Sequence, residues 1–269
     1  DGLGWWWERI LVWLGLLRPE LFTVILKTLT RYPREGNLRW WAPWRCVALI
    51  LGGAVNKVGL TNKGIDWWCE KVGPYLDYEK YKLVGSILGD EDGLVYMAQK
   101  LNQFNLVAVE LNYSCPNAAH VSEVEAIISA VKAVKRVCRH PLIVKLGVDQ
   151  AILTIAERLV GTAEAIDLNS VKWEIAFPGK QSRLWQLEEK VGVGGGGVSG
   201  KPAQEHNWPA VEAFAKQGKV PVIASSIMEF GDLAKVRALG AEAVSFGTIH
   251  LPDYPFWRWP WTLFTNPCK

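Results

Sequence analysis

The five cysteines are odd in number and none is spaced as CxxC. Cys46, Cys69, Cys115, Cys138 and Cys268 therefore suggest neither a disulfide framework nor a structural zinc site. Reduced thiols fit a cytoplasmic protein. The formal charge is only +3 and the basic residues are dispersed, so no basic stripe points to nucleic acid. The opening DGLGWWWERILVWLGLL lacks the basic head and small-residue cleavage site of a signal peptide. Glu8 and Arg9 interrupt its apolar run before it is long enough to span a bilayer. The first residue is not Met, which fits a fragment or a processed product.

What is present is a globular composition. Of 269 residues, 49% are hydrophobic and 21% charged, enough apolar material for one large α/β domain or two small ones. Fifteen tryptophans are the anomaly, gathered in WWW (5–7), Trp40-Trp41, Trp67-Trp68 and FWRWPW (256–261). They read most simply as packing. The helix expected over 5–17 is apolar on nearly all sides, which leaves a membrane or partner surface as the minority reading.

From residue 21, short β-branched runs alternate with helical patterns. Strands are expected in LFTVILKTLT (21–30), KLVGSILG (82–89), LVAVELNYS (106–114), PLIVKLG (141–147), AEAIDLNSV (163–171), VPVIASSI (220–227) and AEAVSFGTI (241–249). Helices are expected over 90–104, 121–137, 150–161 and 229–240. VALILGGAVN (47–56) reads as a β-rich excursion into a loop. Alternating strands and helices imply parallel strands, in a (β/α)8 barrel or a doubly wound sheet. Polar residues follow many separate strands: Lys27, Asn112 and Cys115, Lys145, Asn169, Ser225 and Ser226, Gly247 and Thr248. That favours the α/β (β/α)8 TIM barrel, whose active site gathers all the strand ends on one face. Only seven parallel strands are convincing, so the expected architecture is one barrel domain over 1–269, truncated at both ends and lacking the first strand and the C-terminal helix.

Several motifs compete for attention. Gly195 to Lys201 has the form of a P-loop, but Pro202 stands where Ser or Thr must hold magnesium. Gly192, Gly194 and Gly197 match G-x-G-x-x-G without a convincing strand before them. A flexible linker and a backbone nest around an anion remain for this stretch. In VELNYSCPN (109–117), Cys115 follows a strand between Asn112 and Asn117. A buried thiol is the common case, yet two amides suit a planar polar small molecule better than a core. His120 is a weak partner for Cys115. Lys27 and Lys145 lie in apolar strands, where an ammonium is costly unless it meets an anion or a ligand oxygen. Either alone could be a lysine snorkelling at a strand end. Together they suggest an electron-rich cofactor or a substrate carboxylate.

These motifs, in order, resemble the dihydroorotate dehydrogenase family. VELNYSCPN matches its ELN-x-SCPN signature. KTLT, PREGN (33–37), NKVGLTNKG (56–64), VKLG (144–147), LNS (168–170), GGVSGKP (196–202) and FGT (246–248) follow in the family's sequence. The resemblance runs from about residue 21 to 250. It implies a barrel holding FMN at its carboxyl-end mouth and oxidising dihydroorotate to orotate in pyrimidine biosynthesis. It makes Cys115 the base that removes the C5 proton while hydride passes from C6 to flavin N5. It assigns the substrate to Asn56, Gly59, Leu60, Asn112, Asn117, Asn169 and Ser170, with Lys27 bridging substrate and flavin. Lys145 and Asn169 would meet the flavin ring, and Gly197, Ser199, Gly200, Ser225, Ser226, Gly247 and Thr248 the ribityl phosphate.

Cysteine as the base resembles the soluble members of the family, which use fumarate or, with an iron–sulfur subunit, NAD. The GGVSG wording is closer to the NAD-linked and quinone-linked members, so the acceptor stays open, and a homodimer is compatible with either. Related dihydropyrimidine dehydrogenases carry His at the position of Asn117. The chain departs from the family pattern at Ser225-Ser226, where a glycine pair is usual, and in the missing first strand with its flavin contacts. Those departures keep a second reading open: a non-catalytic or altered-specificity flavin-binding barrel, or a dihydropyrimidine dehydrogenase-like enzyme.

Overall fold

Runs rich in Val, Ile and Leu become the strands of a parallel sheet, with residues of alternate parity facing opposite sides. The computed structural model describes residues 10, 12–15, 18–39, 41–114, 123–169, 171–185 and 194–248. Its main sheet has seven parallel strands, and all seven fall inside the segments expected from the sequence. They are β1 (Thr23–Ile25), β4 (Lys82–Ile87), β5 (Ala108–Asn112), β6 (Leu142–Leu146), β7 (Ala165–Leu168), β10 (Val222–Ala224) and β11 (Ala243–Val244), paired in that order. Helices between consecutive strands cover the outer face, so the fold is a curled α/β sheet, seven strands of a (β/α)8 barrel. β1 and β11 are not paired with each other, but Phe22 and Phe246 meet edge-to-face across the gap with ring centroids 5.3 Å apart. The sheet therefore curls far enough to bring its two edges together.

The outer face forms the main core. Leu83 and Ile87, Val109 and Leu111, Leu142, Val144 and Leu146, Ile166 and Leu168 are all fully buried there. Helix α2 (Glu91–Leu101) meets this face with Leu94, Met97, Ala98 and Leu101, spaced i, i+3, i+4, i+7. Asp90 caps it, its Oδ1 accepting from Gly93 N at 2.9 Å. Helix α3 (Val124–Val137) repeats the pattern with Ile127, Ile128, Val131 and Val134. Each such side chain removed from water contributes about 1.5–3 kcal/mol. Outside the sheet, α1 (Ile65–Lys71) and α4 (Ile152–Arg158) complete the first part of the shell, and α6 (Lys201–Ala215) and α7 (Phe230–Ala238) the second.

Two insertions depart from the simple repeat, and both follow the carboxyl ends of barrel strands. The chain between β1 and α1 carries β2 (Val47–Ile50) and β3 (Gly53–Asn56); the chain between β7 and α6 carries β8 (Val171–Lys172), one helical turn α5 (Trp173–Ala176) and β9 (Gly197–Gly200). They join into an antiparallel sheet ordered β2-β3-β9-β8, over a small core of Val55, Trp173, Leu184 and Val198. The excursion expected at 47–56 is thus a hairpin.

Three expectations need correction. Gly197–Gly200 is not a linker but a strand, with Gly53 opposite Gly200 and Ala54 opposite Ser199. Glycine is required there because a Cβ on Gly53 would overlap the carbonyl oxygen of Ser199, and one on Gly200 that of Gly52. Lys27 is not inside a strand: β1 ends at Ile25. The third is the fifteen-residue α6, not foreseen, although Pro202 in its first turn is a helix-start signal. The helix expected over 5–17 lies mostly outside the described residues.

Candidate active site at the carboxyl end of the barrel

Strand parity decides what faces the barrel interior. In the pairing register Asn112 lies beside Lys145 and Lys145 beside Asp167, while Ser86 lies beside Glu110. Their alternate neighbours Leu111, Leu146, Ile166 and Leu168 fill the outer core, so this polar row points inward. The interior near the mouth is accordingly a connected polar network. Thr28 Oγ1 and Ser86 Oγ are 2.8 Å apart, Ser86 Oγ donates to Glu110 Oε1 at 2.7 Å, and Asn112 Nδ2 donates to Thr28 Oγ1 at 2.9 Å. Ser114 Oγ donates to Asn112 Oδ1 at 2.8 Å, which fixes the amide's orientation.

Lys145 is the centre of charge. Its Nζ stands 3.4 Å from Asp167 Oδ2 and 3.7 Å from Glu110 Oε2. Asp167 and Glu110 are buried at 0% and 1% relative exposure, whereas the Lys145 side chain keeps 17%. Neither Glu110 Oε2 nor Asp167 Oδ2 has a hydrogen-bond partner among the described residues. Ser245 Oγ donates to the other Asp167 oxygen at 3.3 Å. Burial by itself would lower the Lys145 pKa, but the two carboxyl groups outweigh it and hold the ammonium above its ordinary value. For Asp167, burial raises the pKa more than Lys145 lowers it, and Glu110 raises it further. One cation thus serves two buried carboxyl groups.

Lys27, two residues past β1, reaches solvent. Desolvation by the surrounding wall lowers its pKa, although solvent access weakens that pull. Buried Cys46 lies close enough to interact with it, and burial pushes that thiol's pKa up.

The other assigned residues lie in the small sheet, in the turn after β3, and just past β7, β10 and β11. Asn56, the exposed end of β3, pairs with Gly197 and donates from Nδ2 to the Gly197 carbonyl at 3.4 Å. Gly59 and Leu60 both have positive φ, 69° and 57°, in a turn held by Asn62 Nδ2 donating to Leu60 O at 2.6 Å. Asn62 also ties the turn to Thr30 and Gly64, and Asn37 Nδ2 donates to Lys57 O, so PREGN and NKVGLTNKG form one unit. Asn169 directly follows β7, its N–H bonded to Leu146 O at 3.0 Å. Ser199 donates to Ala54 O at 3.3 Å within the small sheet.

The turn after β10 carries the two serines. Ser225 is buried, and its hydroxyl donates to Leu168 O at 2.7 Å and accepts from Asn207 Nδ2 at 3.0 Å. Ser226 has φ +68°, the left-handed region that favours glycine, and its Oγ also accepts from Asn207 Nδ2 at 3.0 Å. From α6, Gln204 and Trp208 hold the carbonyls of Ser226 and Ser225 at 2.8 and 3.1 Å. Gly247 and Thr248 lie just past β11, and a Cβ built on Gly247 would meet no described atom within 4 Å. Cys115, Asn117 and Ser170 lie outside the described residues.

Thus Lys27, Asn112, Lys145, Asn169, Ser225, Ser226, Gly247 and Thr248 all sit on or just past the carboxyl ends of barrel strands. The network adds Glu110, Asp167, Ser86, Thr28 and Asn207. Glu110 and Asp167 were legible: each is a charged residue inside an apolar strand, the signal that singles out Lys145. No group of three or more metal-ligating side chains occurs among the described residues. No described helix is long and apolar enough to cross a membrane.

Comparison with known proteins places this arrangement in context. Residues 14–257 match the family "Dihydroorotate dehydrogenase". The chain is 30% identical over 233 residues to the catalytic subunit of dihydroorotate dehydrogenase B (NAD(+)) of Petrotoga mobilis, covering 82% of this chain and 74% of that protein. It is 28% identical to the protein of the same name from Listeria innocua, over 88% of this chain and 78% of that one. The same name from Bacteroides thetaiotaomicron is 28% identical, over 86% and 76%.

Proposed function

The chain belongs to the dihydroorotate dehydrogenase family, and we propose that it oxidises dihydroorotate to orotate in pyrimidine biosynthesis, with FMN as its cofactor. The observation that carries this reading is the Lys145 ammonium, placed in register with the Asn112 amide on the inner wall of the mouth. A cation beside a neutral amide suits a ring that is electron-rich and carries both donors and acceptors.

The residues present fit FMN at both of its ends. Lys145 and Asn169 would hold the ring. At the phosphate end, Ser225 and Ser226 just past β10 and Gly247 and Thr248 just past β11 would hold the group together with Gly197, Ser199 and Gly200 of β9, and no described atom lies within 4 Å of a Cβ built on Gly247. Ser225 would contribute its backbone, since its hydroxyl already donates to Leu168 O. The Ser226 hydroxyl, which accepts from Asn207, keeps its proton to donate. When bound, FMN supplies the acceptor for the hydride that leaves C6 of dihydroorotate.

The chain's own residues do the rest. Cys115, three positions after Asn112 in the sequence, takes the C5 proton on its thiolate; a thiol with an ordinary pKa of about 8.5 needs only modest help to do so near neutral pH. Asn112 is pre-oriented by Thr28 and Ser114, so its amide is presented in one rotamer. Asn56, Asn117, Asn169 and Ser170, with the Gly59–Leu60 turn, complete the recognition of a carboxylate and a ring imide. Buried donors and acceptors of this kind discriminate strongly against analogues that leave them unpaired. Lys27, exposed at the mouth, would neutralise the substrate carboxylate and reach the flavin. The relatives' name, catalytic subunit of an NAD(+) enzyme, supports NAD+ as the acceptor, reached through a partner subunit; the family resemblance implies an iron–sulfur centre in that subunit.

The test is spectroscopic. The purified full-length protein should be yellow, and anaerobic dihydroorotate should bleach it. Cys115→Ser should slow that bleaching by about 10²–10⁴-fold with little change in orotate binding. A flavin-loaded protein that dihydroorotate does not bleach would leave the second reading, a barrel of altered specificity, which Ser225-Ser226 favours.

A further inference from the structure

Most barrel interiors are filled by apolar layers, but here the layer at the level of Lys145 is ionic. Lys145 alone would present a full positive charge to the mouth. Instead it faces Asp167 at 3.4 Å and Glu110 at 3.7 Å, and each of these carboxyl groups has an oxygen with no hydrogen-bond partner among the described residues. The two carboxyl groups are held in different ways. Glu110 is anchored by Ser86, which is linked through Thr28 to Asn112. Asp167 is anchored from the far side by Ser245, just past β11. The groups facing Asp167 are therefore Lys145 from β6, Glu110 from β5 and Ser245 after β11. Glu110 suffices to pair one lysine, so Asp167 is a second negative group on a centre that needs only one.

We propose that Asp167 is a positioning residue that sets the charge presented at the barrel mouth: with Glu110 it clamps the Lys145 ammonium and offsets its charge, so that a flavin held there is harder to reduce than one facing a singly paired lysine. The proposal rests on the flavin reading above and deepens it by naming the residue that tunes the site. Negative charge that develops on the bound ring meets the sum of the three side chains rather than Lys145 alone. Asp167 lies in the register position next to Lys145 and 3.4 Å from its ammonium, so it acts through the lysine.

The experiment uses the full-length, flavin-loaded protein at pH 8 and compares wild type with Asp167→Asn and Asp167→Ala. Asn keeps the shape and removes the charge; Ala removes both, so agreement between them isolates the charge. Two readouts are independent of turnover: the flavin midpoint potential and the dissociation constant of sulfite, whose covalent adduct leaves a negative charge on the flavin. Both variants should bind sulfite about tenfold more tightly than wild type, which corresponds to about 1.4 kcal/mol, and both potentials should move positive. A merely structural role moves both readouts the other way, because a displaced Lys145 offers less positive charge to the ring. Sulfite binding within twofold of wild type in both variants, or weaker binding, overturns the proposal. Wild-type protein that takes up no flavin overturns both the proposal and the reading it rests on, so the two failures are distinguishable.

Discussion

Replacing Lys145 by Met removes the cation that, among the described residues, faces the two buried carboxyl groups, while keeping the length and apolar stem of the side chain. With Asp167 at 0% and Glu110 at 1% exposure, the variant must bury both groups without a cation. Breaking a buried pair in this way costs roughly 3–5 kcal/mol. With a urea dependence of about 3 kcal/mol/M, the unfolding midpoint should fall by about 1–2 M at pH 8. The deficit should depend on pH, and its sign follows from linkage. The folded-state pKa of Asp167 is already raised by burial and Glu110, and Lys145 is what pulls it down. Without the lysine it rises further. A carboxyl group with a raised folded value costs stability as pH climbs from its unfolded value of 3.8 through the folded one, so the deficit should shrink towards pH 5 and widen towards pH 8. In wild type the complementary loss comes at the alkaline end. The raised Lys145 value contributes stability that is fully present below 10.5 and lost as pH rises through its folded value. Urea titrations of both proteins at pH 5 and pH 8 decide the matter. An equal deficit at the two pH values would mean that the lysine matters for packing and not for charge, and would refute the electrostatic account.

Other substitutions probe the scaffold that carries the site. Gly53→Ala should destabilise the small sheet by about 1–3 kcal/mol or more, read as a lower melting temperature, because the added Cβ would overlap the Ser199 carbonyl in the facing strand. Ser226→Gly should stabilise the protein by about 1 kcal/mol, because glycine occupies φ +68° without a side-chain clash; unchanged stability in urea would show that the Asn207 hydrogen bond compensates for the strain. Asp90→Ala removes the cap on Gly93 N and should cost about 1 kcal/mol in chemical unfolding.

The strand and helix rhythm of the barrel was readable because it is local. KLVGSILG and PLIVKLG became β4 and β6 within one or two residues at each end, and the helical stripe after VSE became α3. Only half of the second sheet was readable: VALILGGAVN read as β-rich, but its partner β9 lies more than a hundred residues away and lacks a strand's usual composition. The glycines of GGVSG suggested a loop, yet they are what lets two backbones approach closely. Helix α6 was obscured by the same glycines and by Pro209 inside it. Among site residues, Asn112 and Lys145 stood out as polar groups in apolar runs, while Glu110 and Asp167 passed unread beside them.

By itself, the sequence determined the parallel order of the strands, the helices between them and which residues reach the carboxyl ends, since all three follow from periodicity within short windows. Only the tertiary structure decided which of those residues share charge. Lys145, Glu110 and Asp167 belong to three strands, and their neutralisation of one another depends on register and inward parity. Electrostatic coupling acts through space, so it exists only once β5, β6 and β7 have paired in this register.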